Sequence, residues 1–108
     1  MLFVPEPETL VEEMLEESAF VSNLGVELDE VGDGYAVCSL DVRADHLSSY
    51  GILHGGVSYS LADTTVAVAL IGALGEDRSA TTVEGKLNYL APVDPDETDR
   101  LIARAEVV

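Results

Sequence analysis

One carboxylate stands apart in this 108-residue sequence. Within residues 46–75 Asp63 is the only formally charged side chain, although at the chain's average of 24% charged, thirty residues would hold about seven. Asp63 sits in the middle of the most apolar stretch, Val57 to Leu74. An ionised carboxylate buried there without partners would be costly, so it must be paired, hydrogen-bonded, protonated or facing a cavity. Two readings follow. Asp63 is a base or nucleophile in a cleft, or it is a structural acceptor for Thr64, Thr65 or a loop amide.

The second candidate is His54-Gly55-Gly56, immediately before the same stretch. Two glycines let backbone and ligand approach closely, and the free N–H groups of a helix start point at whatever binds there. With the helix dipole, such a place can polarise a carbonyl or hold an oxyanion. The same Gly-Gly is also ordinary loop chemistry before a helix. Nine positions separate His54 from Asp63, roughly 13 Å along a helix. One carbonyl cannot sit at the helix start and also touch Asp63 of that helix. Two such helices packed antiparallel about a two-fold axis would bring them together, which suggests a site shared between protomers.

The elements that must carry these residues are legible in the patterning. Residues 7–20 read as an amphipathic helix with Leu10, Val11, Met14 and Leu15 on one stripe. Thr9 and Glu12 have the spacing of a capping box. Val26 and Leu28 alternate with acids as a half-buried strand. Gly32-Asp33-Gly34 is a turn, and Ala36, Cys38, Leu40 and Val42 share one face of a second strand. A loop over 44–56 leads into a helix from about Val57 to Leu74, closed by Gly75 and apolar nearly all round, so expected to be buried on every side. Strands are expected over Thr81 to Leu90 and Leu101 to Val108, the latter with Leu101, Ala103, Ala105 and Val107 on one face. One domain over 1–108 follows: an α+β architecture with a central long helix wrapped by an antiparallel sheet.

Composition narrows the function. The net charge is −16, and residues 1–42 contain eleven acids and no Lys or Arg. Nucleic acid is a poor partner for such a surface. The acids are dispersed and not blocked as in an interaction tail. Adaptation to a high-salt cytoplasm, where screening relieves their repulsion, is the expectation, with an ordinary acidic protein as the alternative. No membrane is expected, since Ser58, Ser60, Asp63, Thr64 and Thr65 interrupt the one long apolar run. Nor does the N-terminus have a signal peptide's basic region. The single cysteine, Cys38, excludes an internal disulfide and reads as core. His46, His54 and Asp63 make a short, unfixed ligand set, so no metal is expected. Ser58 and Ser60 lack a nucleophile elbow.

The run His46-Leu47-Ser48-Ser49-Tyr50-Gly51-Ile52-Leu53-His54-Gly55-Gly56, followed by Leu61-Ala62-Asp63-Thr64, resembles the signature of the PaaI-like branch of hotdog-fold thioesterases. Asn88-Tyr89-Leu90-Ala91-Pro92 is similar to that family's next strand and turn. The resemblance implies hydrolysis of an acyl-CoA thioester, of aryl or phenylacetyl type, without cofactor or metal, in a homodimer or homotetramer. Asp63 then matches the catalytic carboxylate, Gly55 the amide that polarises the thioester carbonyl, and His54 the histidine that positions it. Ser48, Gly56 and Thr82 fall on substrate-binding positions, Thr82 near the attacking water. Ser48 replaces the family's frequent Asn.

The family also has two further strands, placed between those of Thr81 to Leu90 and Leu101 to Val108. Their absence here implies a fragment, an early-terminated reading frame, or a sheet completed by a neighbouring chain. Two rival readings remain: a truncated inactive or acyl-binding domain, and a hotdog hydratase or dehydratase.

Overall fold

A computed structural model describes residues 6–75 and 80–108. The expected first helix is two. Pro7, with its backbone preset for a first helical turn, starts α1 (Pro7–Glu17) directly after Glu6, ahead of the Thr9–Glu12 capping pattern. Ser18 then takes an extended conformation, and its Oγ accepts from the Val21 N–H at 3.3 Å, capping α2 (Ala19–Leu24). A serine that bonds its own downstream amide competes with helix continuation, and that local competition overrides the apolar stripe. Gly25, at φ 79°, ends α2 in the left-handed region where glycine is favoured.

The hairpin forms as its alternation predicts. β1 (Glu27–Gly32) pairs antiparallel with β2 (Tyr35–Asp41) across the Asp33–Gly34 turn, with a register irregularity between Leu28 and Glu30. β2 pairs antiparallel with β3 (Arg100–Glu106), giving the sheet order β1-β2-β3. Ala36, Cys38 and Leu40 are buried on the inner face, with Leu101, Ala103 and Ala105 packed against them. On the outer face Arg100 donates to Asp41 Oδ1 at 2.6 Å, to Ser39 Oγ at 2.6 Å and to Glu27 Oε2 at 3.1 Å. The Glu27 and Asp41 carboxylates hold the guanidinium above its ordinary pKa. One base thus ties three strands of an acid-rich sheet.

α3 (Gly55–Leu74) lies across the inner face, contacting β2 and β3. It ends at Gly75 as expected, with φ 77°. Gly72 lets the helix close on the hairpin turn: a Cβ there would lie 2.0 Å from the Gly32 carbonyl oxygen. Two expectations fail here. α3 is not buried on every side; Val57, Leu61, Thr65, Val68 and Ala69 are buried along one face, while Tyr59, Asp63, Val66 and Leu74 are exposed. Three strands cover one side of a helix, and uniform apolarity cannot say how many neighbours are there. By length and composition α3 could cross a bilayer; in this fold it is instead laid against the sheet.

The expected strand over Thr81 to Leu90 is likewise not a strand. It forms no ladder, and each of its residues is exposed. A strand is defined by a partner's backbone, and none of the described strands lies beside this one. The segment runs along α3 instead, attached through Thr82 and Tyr89.

Candidate functional site

The loop before α3 is built on His46. Its ring is buried, with Nδ1 accepting from the Arg43 N–H at 3.1 Å and Nε2 lying 3.1 Å from the Leu24 carbonyl. Since Nδ1 accepts, Nε2 carries the proton and donates to Leu24. The His46 carbonyl also accepts the His54 N–H at 2.9 Å. His46 is therefore a bracket between the end of α2 and the start of α3. Its main partner, Leu24, is 22 residues upstream, so no local pattern could have announced this role.

Ser48 holds the intervening turn. Its N–H donates to the Ile52 carbonyl at 2.7 Å, its carbonyl accepts from Gly51, and its Oγ accepts from the Tyr50 N–H at 3.2 Å. Gly51, at φ 78°, supplies the left-handed corner. The hydroxyl proton of Ser48 is the part not committed by these bonds.

His54 is the N-cap of α3, and Gly55 and Gly56 are its first two helical residues. The exposed imidazole turns back so that Nδ1 accepts the Gly56 N–H at 2.8 Å. This leaves Nε2 as the protonated nitrogen, available as a donor. The Val57 N–H donates to the His54 carbonyl at 3.0 Å. Among the described residues the Gly55 N–H has no acceptor in the protein. Of the first three α3 amides it alone is free for an incoming oxygen. A cleft of about 540 Å³ opens here, lined by His54, Gly55, Gly56 and Ser58 on one side and by Tyr89 to Val93 on the other.

Asp63 lies two turns further on, on the uncovered face of α3. It is exposed, which corrects the expectation that its apolar surroundings bury it. A helix position says nothing of depth when the helix has one covered face. Thr82 Oγ1 donates to Asp63 Oδ1 at 2.7 Å, a partner 19 residues away rather than the neighbouring Thr64 or Thr65. Thr65 is engaged elsewhere: its Oγ1 donates to the Leu61 carbonyl at 2.6 Å. Asp63 and Thr82 line a second, smaller cleft of about 140 Å³ with Tyr59, Val66 and Lys86. So the structure brings Asp63 to Thr82 and His54 to Gly55 and Gly56, in two clefts along one helix. Cys38 is fully buried against Thr65, and burial pushes its thiol pKa up. It is core, not a nucleophile.

Residues 50–108 match the thioesterase superfamily profile. The acyl-coenzyme A thioesterase PaaI of Escherichia coli is 38% identical over 56 residues, covering 52% of this chain and 40% of that protein. The solved E. coli PaaI protein from the phenylacetic acid degradation operon superposes with TM-score 0.80 at 27% identity, over 93% of this chain and 69% of that one. A conserved Pseudomonas aeruginosa protein does so with TM-score 0.78 at 32% identity, over 84% of this chain and 70% of that one. The chain spans between 37% and 59% of the first curated relatives it matches. The α+β layout, with one long helix laid on an antiparallel sheet, is that of these solved relatives. With the profile match it settles the family: this chain is a member of the thioesterase superfamily, of the PaaI-like hotdog type.

Proposed function

We propose that this chain acts as an acyl-CoA thioester hydrolase whose site is completed by a second copy. The observation that carries the reading is Asp63, an exposed carboxylate on the uncovered face of α3, held by Thr82, in a chain of this superfamily. Two α3 helices packed antiparallel would place Asp63 of one copy beside the Gly55 amide and the His54 Nε2–H of the other. The unpaired Gly55 N–H at a helix N-terminus suits the oxygen of a thioester carbonyl, where negative charge develops as the carbon is attacked.

In the net reaction water adds to that carbon and the C–S bond breaks. The departing sulfur takes up a proton, leaving a free acid and the CoA thiol. Asp63 must be ionised to serve, whether it attacks the carbon itself or removes the water's proton. Thr82 Oγ1, already on Asp63 Oδ1, fixes which oxygen faces the substrate. Gly56 contributes mainly by lacking a side chain, since its N–H is spent on His54 and a Cβ would lie 3.0 Å from the His54 Nδ1. Ser48 retains one hydroxyl proton for the substrate's carbonyl side. No step needs a metal or cofactor.

Phenylacetyl- and other aryl-type thioesters are the first substrates to test, with aliphatic ones beside them. Thiol release from a panel of CoA thioesters is the decisive assay. Catalysed release supports the proposal; hydration of enoyl-CoA without thiol release would favour a hydratase, and binding without turnover an acyl-binding domain.

The same reading makes the described elements one domain of a cytoplasmic homodimer or homotetramer working at high salt. With a net charge of −16, the thermal midpoint should rise through a potassium chloride series into the molar range as repulsion is screened. A flat or falling midpoint would remove the high-salt assignment.

A further inference from the structure

Tyr89 has no part in the proposed chemistry, yet it touches the backbone that carries His54 and Gly55. Its hydroxyl donates to the Gly55 carbonyl oxygen at 2.8 Å. That carbonyl and the Gly56 N–H belong to one peptide group, and the Gly56 N–H donates to His54 Nδ1 at 2.8 Å. The result is a continuous chain of two hydrogen bonds running from the Tyr89 hydroxyl, through a single peptide, to the imidazole. Bonds in such a chain polarise one another: a donor on the carbonyl makes the N–H across the peptide a stronger donor. The ring itself is close as well, because a Cβ on Gly55 would lie 3.1 Å from both the Cζ and the hydroxyl of Tyr89. Glycine at 55 thus makes room for this contact.

We propose that Tyr89 is a positioning residue, acting through the Gly55–Gly56 peptide to hold His54 with Nδ1 as acceptor and the Nε2–H directed outward. This rests on the hydrolase reading only for what the Nε2–H does; the control of His54 itself stands on the two hydrogen bonds. The chemistry is specific. An imidazole that accepted at Nε2 and donated at Nδ1 would lose the Gly56 bond and would offer the substrate carbonyl a lone pair in place of a proton. A hydroxyl 34 residues away therefore helps decide whether the histidine can act as a donor.

The test is Tyr89→Phe, which keeps the ring and removes the oxygen. Tyr89 is 60% exposed, so its hydroxyl is not part of the core. Nitrogen NMR of isotope-labelled imidazoles reads the two histidines separately, with His46 as internal reference. In the wild type His54 should show an unprotonated, hydrogen-bonded Nδ1. In Tyr89→Phe its signals should move toward a mixture of tautomers while those of His46 stay in place. Where thioester turnover is measurable, kcat should fall by about 3- to 10-fold with KM little changed, the loss expected for one hydrogen bond acting on the reacting carbonyl.

An unchanged His54 spectrum in the folded variant overturns the proposal. So does loss of the fold in Tyr89→Phe, which would make the hydroxyl structural. If the wild type releases no thiol, the hydrolase reading fails on its own, and the spectrum still decides the role of Tyr89.

Discussion

Replacing Asp63 with Asn should lower thioester hydrolysis at least about 100-fold while leaving the thermal midpoint unchanged within experimental scatter. Asparagine keeps the size of the side chain and an oxygen that can accept from Thr82 Oγ1, so the 2.7 Å bond need not be lost. What disappears is the negative charge and the basicity, and with them either a nucleophile or a proton acceptor. Within the single chain Asp63 is exposed, so its replacement neutralises no charge buried in that chain's own fold, and no gain in the chain's stability is expected. If Asp63 were merely a structural acceptor, activity would fall only as far as stability does. Turnover and thermal unfolding measured on the one variant separate these cases, and near wild-type turnover would remove Asp63 from the site.

The largest stability effect should come from Gly72→Ala. In most helix interiors this change stabilises, because alanine loses less backbone entropy than glycine on folding. Here the added Cβ would stand 2.0 Å from the Gly32 carbonyl oxygen and 3.1 Å from the Val31 Cγ2. The first obstacle is backbone, which cannot rotate away as a side chain can. α3 must lift off the β1–β2 turn, disturbing the packing of Val68 and Ala69 on the sheet. Overpacking of this kind costs about 2–3 kcal/mol, or roughly 10 °C in the midpoint for a domain of this size. Calorimetry or circular dichroism melting checks it. A variant as stable as the parent would mean that α3 sits farther from the hairpin than described.

How much of this was legible in the residues depended on how local each cause was. The β1–β2 hairpin could be read because Ala36, Cys38 and Leu40 alternate with outward residues and Gly34 supplies a turn at φ 80°. The end of α3 at Gly75 is a one-residue signal of the same kind. Ser18 was legible in principle, as a serine three residues before Val21, but it was hidden by the apolar stripe that continues past it.

Other features depend on partners remote in sequence. Whether 81–90 is a strand depends on a neighbouring backbone, not on its own side chains. The depth of Asp63 depends on how much of α3 the sheet covers. The bracket made by His46 depends on Leu24. For the candidate site, the residue pattern singled out one helix, α3, and its start, and the structure shows His54 as the N-cap there and Asp63 on the exposed face. The Asp63–Thr82 bond joins two residues already singled out, whereas the Tyr89–Gly55 bond joins elements whose approach only the fold reveals.

The shared site can be tested by complementation between two defective chains. Gly55→Pro removes the amide at the first helical position, where proline is well tolerated and where the extended His54 before it suits a following proline. Its ring would press on Tyr89, the flexible end of a side chain at 3.1 Å. Asp63→Asn removes the carboxylate. Each variant alone should be nearly inactive, since both of its sites lack the same half. Co-produced in equal amounts and paired at random, half of the dimers are mixed, and each mixed dimer carries one site with both Gly55 and Asp63 intact. Thiol release from an acyl-CoA should then recover to about a quarter of the wild-type rate. A mixed preparation no more active than the two variants measured separately would contradict a site built from two copies of the chain.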